Sequence, residues 1–253
     1  MDNPDRRIGL VLSGGLAWGL AHIGVLQVLE QEDIQVDVIA GTSVGSLVGA
    51  LYASGYKSAD LLTLAHDTHW WDIVSLQRPY LGLLGMERFE AYLAKHIGRR
   101  TFSQLQLPFA AVACDLSSGA EIIITSGSVC TAVRASCTIP GIFTPVQVEG
   151  KLLIDGGVVN NLPVDVARSL GAQKVIAVDL GAQTLGWEPP EHIFQVIIQT
   201  IILMQRANVA AQLPKADLII QPVVTKLKPF RFRPSAILHR SRQAGGTGCI
   251  VST

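Results

Sequence analysis

The sequence predicts an α/β fold on a largely parallel sheet, and three observations predict it. Short apolar runs of strand length alternate with longer stretches whose apolar residues recur at helical spacing. Two early runs end in glycine loops that lead straight into helices, Ser13-Gly14-Gly15 and Gly41-Thr42-Ser43-Val44-Gly45, as parallel strands joined by right-handed crossovers do. Hydrophobic residues make up 49% of the 253 and charged residues 16%, a composition of one large cored domain that excludes disorder over most of the length.

Taken in order, Arg7 to Leu12 reads as a buried strand, followed by a helix with apolar positions Leu20, Ile23, Val25, Leu26 and Leu29. Val36, Val38 and Ile39 mark a second strand, which turns into a helix carrying Leu47, Val48, Leu51 and Tyr52. Both glycine loops then fall on the carboxyl edge of the sheet, where open α/β sheets bind ligands. Residues 57–98 are mainly helical in pattern. They are interrupted by Trp70-Trp71-Asp72-Ile73 and by 77–85, a stretch that reads as a lid over an apolar pocket or as a plain connection. Strands are expected at 109–115 and 121–125, a helix at 128–136, and a strand at 151–154 running into Asp155-Gly156-Gly157. Pro163 opens a helix that ends at Leu170-Gly171. A strand at 174–179, a long helix at 193–212 and a strand at 218–220 complete the pattern. No apolar run reaches the ~18 to 20 residues of a spanning helix, and the polar start predicts no signal peptide. Four cysteines without C-x-x-C spacing read as free thiols in a reducing compartment.

Twenty basic residues balance twenty acidic ones, which argues against a chain built to coat nucleic acid. The balance is uneven, because Lys226, Lys228, Arg231, Arg233, Arg240 and Arg242 follow Pro222 with no acid among them. Cations interleaved with Phe230 and Phe232 suit an anionic lipid surface; the same pattern suits single-stranded nucleic acid or a solvated tail. The expectation is a cytoplasmic protein with no nucleic-acid partner, touching the inner membrane face through this basic segment.

Gly41-Thr42-Ser43-Val44-Gly45 is a G-x-S-x-G sequence in the strand-to-helix context that lifts a serine hydroxyl to the end of a sheet. Gly41 and Gly45 allow the tight turn, which makes Ser43 the candidate nucleophile. A serine needs a base within hydrogen-bond reach. Asp155 is the best placed, since an apolar strand delivers it and Gly156 and Gly157 let the chain turn away. A carboxylate of ordinary pKa near 3.9 is a weak base at neutral pH, so this role requires a partly desolvated site. Gly14, Gly15 and Gly19 form a loop whose backbone N–H groups suit an oxyanion. A dinucleotide site is disfavoured, because the spacing is G-G-x-x-x-G and the second strand ends in Gly41-Thr42-Ser43 without a ribose-binding acid.

In this order, Ser13-Gly14-Gly15, Gly41-Thr42-Ser43-Val44-Gly45 and Asp155-Gly156-Gly157 resemble the patatin-like phospholipases, serine lipid acyl hydrolases with a Ser-Asp dyad. Arg134-Ala135-Ser136, Ile139-Pro140-Gly141, Phe143-Thr144-Pro145 and Asn160-Asn161-Leu162-Pro163 are similar to further blocks of that family, and the resemblance runs from about Ile8 to Ile220. It implies a three-layer fold with a central, mostly parallel sheet over residues 1–225, followed by a partly flexible basic segment at 226–253. It also implies Ser43 as nucleophile, Asp155 as base, an oxyanion hole from Gly14, Gly15, Leu16 and Gly19, an acyl-lipid substrate, and no metal or organic cofactor. Leu16 and Trp18 depart from the family's pattern of a third glycine and a basic residue, which favours neutral esters.

Other readings stay open at this point. His192 or His239 would complete a Ser-His-Asp order, and His22 sits on a helix near the glycine loop. Trp18 and Arg134 are candidate substrate contacts, with Arg134 equally suited to a structural ion pair. The apolar helix from Ile193 suits core packing or the wall of an acyl tunnel. A non-catalytic lipid-binding relative is the alternative of a different class.

Overall fold

The computed structural model describes residues 7–68, 73–76, 81–181 and 189–223. Trp70, Trp71, Asp72, residues 77–80, Cys249, His239 and the basic segment 226–253 lie outside these residues, and with them the tail reading and part of the lid reading.

Among the described residues the main sheet has eight strands. Five run parallel: β1 (Ile8–Leu12), β2 (Val38–Thr42), β5 (Phe109–Asp115), β9 (Lys174–Val178) and β10 (Leu218–Ile220), in the spatial order β10-β9-β1-β2-β5. Beyond β5 the order continues through β8 (Lys151–Asp155) to β7 (Val146–Val148), both pairings antiparallel, and β6 (Glu121–Ile124) also pairs antiparallel with β5. A separate two-stranded sheet pairs β3 (Ser75–Leu76) antiparallel with β4 (Leu84–Gly85).

Alternate strand residues feed two cores, as period-2 geometry requires. Leu10, Leu12, Ile39 and Ala111 enter one core with α1 (Leu20–Gln31), α2 (Val44–Ala53), α3 (Ser58–Asp67), α4 (Glu87–Ile97) and α5 (Val129–Ser136). Val11, Val38, Ala40, Ala110 and Val112 enter the other, with α6 (Val164–Ser169) and Val209 of α7 (Ile193–Gln212). The result is a helix–sheet–helix sandwich of three layers.

β5 sets the position of the site. Its residues Phe109 to Val112 lie in parallel register with Ile39 to Thr42, whereas Ala113 to Asp115 pair antiparallel with Asp155 to Leu153. β8 therefore returns along the overhang of β5 and stops where β2 stops, which brings two strand ends together from opposite directions.

One expectation is corrected by α7. Counting uninterrupted apolar residues finds no spanning-length run, yet the helix over Gln195–Lys215 is long and apolar enough, by length and composition alone, to cross a membrane. Its polar interruptions are uncharged Gln, Thr and Asn, with Arg206 its first charge. β7 was not expected: three residues beside a Glu149-Gly150 turn leave too short a pattern.

Candidate active site

β2 ends at Thr42 and α2 begins at Val44, so Ser43 alone makes the turn. Its φ of 53° and ψ of −128° lie in backbone space that costs a side-chain-bearing residue on the order of 1–3 kcal/mol. The surroundings hold it there. The Ser43 N–H donates to Ser136 Oγ at 2.9 Å, and the Ser136 hydroxyl donates onward to the Val112 carbonyl at 2.6 Å. Glycine at 45 is dictated by close approach, because a Cβ there would strike the Leu12 carbonyl at the end of β1.

The Ser43 hydroxyl donates to Asp155 Oδ2 at 2.6 Å, and the Gly157 N–H donates to Oδ1 at 2.8 Å. Both side chains are buried, Asp155 at 2% exposure. Burial pushes the Asp155 carboxyl up from its ordinary 3.8 to about 6, against the two hydrogen bonds, which act to lower it. At pH 7 it is mostly ionised, with a basicity nearer to that of an imidazole than of a solvated carboxylate.

The glycine loop divides into two parts. Gly14 is tied into the framework: its N–H donates to the Asn161 carbonyl at 3.2 Å, and its carbonyl accepts from Asn161 Nδ2 at 3.3 Å. Leu16 opens a 3₁₀ turn, Leu16–Gly19, at a φ of 51°. Leucine at this position thus keeps a backbone that favours glycine. The first N–H groups of such a turn have no acceptor within it, and Gly15 and Leu16 line the same pocket as Ser43. Beneath the loop, His22 is fully buried and donates from Nε2 to the Ser13 carbonyl at 2.8 Å. Burial pushes its pKa down to about 4, so the ring is neutral at pH 7.

α7 closes the site from above. Ser43 and Asp155 share a pocket with Gly15, Leu16, Ile139, Ile198, Ile201, Ile202 and Gln205. The free space among them is about 10 Å³, room for about one water molecule. Lower on the same helix, Asn208 Oδ1 accepts from the Asn161 N–H at 2.9 Å and Nδ2 donates to the Gly157 carbonyl at 2.9 Å, linking the loops after β8. Among the described residues no three His, Cys, Asp or Glu side chains converge as a metal ion would require.

The family described as Patatin-like phospholipase matches this chain over residues 10–168. The chain belongs to the patatin-like phospholipase family. It is 37% identical over 187 residues to patatin-like phospholipase domain-containing protein 6 of Mus musculus, a match covering 70% of this chain and 14% of that protein. Lysophospholipase nte1 of Aspergillus fumigatus is 36% identical over 183 residues, covering 70% of this chain and 12% of that protein. The chain thus spans a small part of the length of these relatives. Among solved structures, VipD from Legionella pneumophila is similar with a TM-score of 0.48 at 14% identity, over 78% of this chain and 53% of that one.

Within this patatin-like domain the structure brings together Ser43, Asp155, Gly15 and Leu16 and moves other candidates elsewhere. Gly14 holds the loop through Asn161, so its N–H is already taken. Gly19 lies against α2, where a Cβ would strike Val44, and its place is one of packing. Trp18 is buried in the core at 5% exposure and is not part of the pocket lining. Arg134 pairs with Glu90 at 2.8 Å, a structural ion pair. His192 precedes α7 and is exposed, outside the pocket lining. Gly41 and Gly156 sit where a Cβ would meet backbone, of Gly45 and Val112 respectively. The sequence reading assigned no role to Ser136, Gln205 or Asn208. Asn208 carried a faint signal, a polar residue between Ala207 and Val209 on an apolar helix.

Proposed function

We propose that this domain hydrolyses carboxylic esters of phospholipids or related acyl lipids through a Ser43–Asp155 dyad. The observation that carries the reading is the 2.6 Å hydrogen bond from Ser43 Oγ to a buried carboxylate whose pKa is raised to about 6. Membership of the patatin-like phospholipase family, and relatives named phospholipase and lysophospholipase, support the substrate class.

In the proposed reaction the Ser43 proton passes to Asp155 Oδ2 as Oγ bonds to the acyl carbon. The carbonyl oxygen becomes an oxyanion facing the N–H groups of Gly15 and Leu16, each such donor being worth roughly 3 to 4 kcal/mol in comparable sites. Collapse expels the alcohol, which takes the proton from Asp155. Water then adds to the acyl-enzyme, giving its proton to Asp155, and the fatty acid leaves as Ser43 is reprotonated. The apolar lining of Ile139, Ile198, Ile201 and Ile202 supports an acyl chain as the bound group.

The test is hydrolysis of p-nitrophenyl esters of short and long chains by the wild type, Ser43→Ala and Asp155→Asn. Activity that rises with chain length and falls by roughly a thousandfold or more in both variants is expected. Turnover that survives Asp155→Asn would overturn the dyad, and a folded wild type inert on all esters would favour a lipid-binding role.

A further inference from the structure

From Ile193 to Gln205 α7 carries no charged residue. Its inner face puts Ile198, Ile201 and Ile202 over Ser43. Its outer face carries Ile193, Val196, Thr200, Leu203, Met204, Ala207 and Ala210, all exposed. Apart from Met204 these follow one another at steps of three and four, a single stripe along the helix. Ile193 and Leu203 are each 64% exposed, Met204 51% and Val196 43%. A helix apolar on both faces belongs in a core or in lipid, and only 17% of the most apolar window of this one is buried.

The two faces bear on one event. The space beside Ser43 is about 10 Å³ with Ile198, Ile201 and Ile202 in place, too little for an acyl chain, so an ester enters only when this part of α7 or its side chains move aside. The second half is tied down, through Asn208 to the Gly157 and Asn161 loops and through Gln212, and Lys215 just beyond the helix, to Asp165. Lifting uncovers the inner isoleucines while the outer stripe is still open. An apolar phase accepts both faces at once, whereas a rigid protein partner covers only one.

We propose that the outer stripe of α7 docks on a lipid surface and that docking draws the first half of the helix off Ser43. The inference rests on the hydrolase reading, since the acyl lipid is what joins the surface to the serine. It involves only the described residues and is independent of the basic tail.

The test uses the full chain with vesicles of dialkyl-ether phosphatidylcholine, which hold no carboxylic ester and no net charge. Binding is measured by co-sedimentation in a Ser43→Ala background. Replacing Leu203 and Val196 by Glu is expected to weaken binding by roughly tenfold or more for each residue. Both positions are exposed, circular dichroism confirms folding, and Leu203→Gln provides a milder second variant. In chains with Ser43 intact, the vesicles are expected to raise turnover of a water-soluble short-chain ester in the wild type but not in the Glu variants, which keep the same turnover without vesicles.

Vesicle binding that is absent in the wild type, or unchanged in the folded Glu variants, overturns the proposal. So does a dimer that the same substitutions dissociate while no vesicle binding is seen. Stripe-dependent binding by a chain that hydrolyses no ester sustains the docking surface and overturns the hydrolase reading instead.

Discussion

His22 Nε2 donates to the carbonyl of Ser13, so a ring with no exposure to solvent holds the first peptide of the glycine loop. The ordinary pKa of 6.5 falls to about 4 because burial opposes the charged form. The unfolded chain therefore takes up this proton near pH 6.5 and the folded chain only near 4, so stability is lost as pH falls through that window. The loss amounts to about 3 kcal/mol when complete. His22→Gln, whose amide can donate to the same carbonyl, is expected to flatten the slope. Urea midpoints at pH 7, 5 and 4 check it, and an unchanged slope in the variant would sink the assignment.

Asp155 has the opposite sign. Its folded carboxyl holds a proton up to about pH 6, whereas the unfolded one releases it near 3.8. Stability contributed by the protonated form is lost as pH rises from 3.8 through 6, on the order of 3 kcal/mol in all. Asp155→Asn is therefore expected to be more stable than the wild type at pH 7.5 and level with it at pH 4, by denaturant titration at both pH values. Under the proposed mechanism the same ionisation sets the acid limb of activity: kcat/KM is expected to fall about tenfold per pH unit below roughly pH 6.

Leu16 and Ser43 both hold positive φ, 51° and 53°. Glycine at either position removes the side-chain penalty, so Leu16→Gly and Ser43→Gly are expected to gain about 1 kcal/mol over Leu16→Ala and Ser43→Ala in denaturant midpoints. Leu16→Gly also removes one wall of the pocket, and its ester profile is expected to shift toward bulkier acyl groups.

Ser136 joins the Ser43 N–H to the Val112 carbonyl. Ser136→Ala leaves both buried groups without this partner, at a cost of about 1–3 kcal/mol. A positioning role predicts that kcat falls with KM nearly unchanged and that Ser136→Thr restores part of it; a merely structural role would move stability alone.

Local pattern was enough for much of this molecule. The strands at 109–115 and 218–220 and the helix at 193–212 carry their own periodicity, and they stand in the structure at those bounds. The strand ends bearing Ser43 and Asp155 were equally readable, because glycine after an apolar run marks a turn wherever it occurs. What the chain did not disclose were partners chosen over long separations. Gly14 is tied to Asn161, 147 residues away, and a motif cannot say which of its N–H groups is already spent. Arg134 and Trp18 fit a site by residue type and were drawn off by Glu90 and by the core. Ser136 and Asn208 act on backbone groups, so they leave no spacing for a motif to show.

The divided pairing of β5 also orders events in time. Strands β1, β2 and the first half of β5 can associate, and the turn at Ser43 can form, while the chain beyond Asp115 is still being synthesised. The hairpin that delivers Asp155 is made some forty residues later and docks on the free half of β5. A nascent chain therefore displays Ser43 without its hydrogen-bond acceptor, and the Ser43–Asp155 pair forms only at the step that adds β8 to β5.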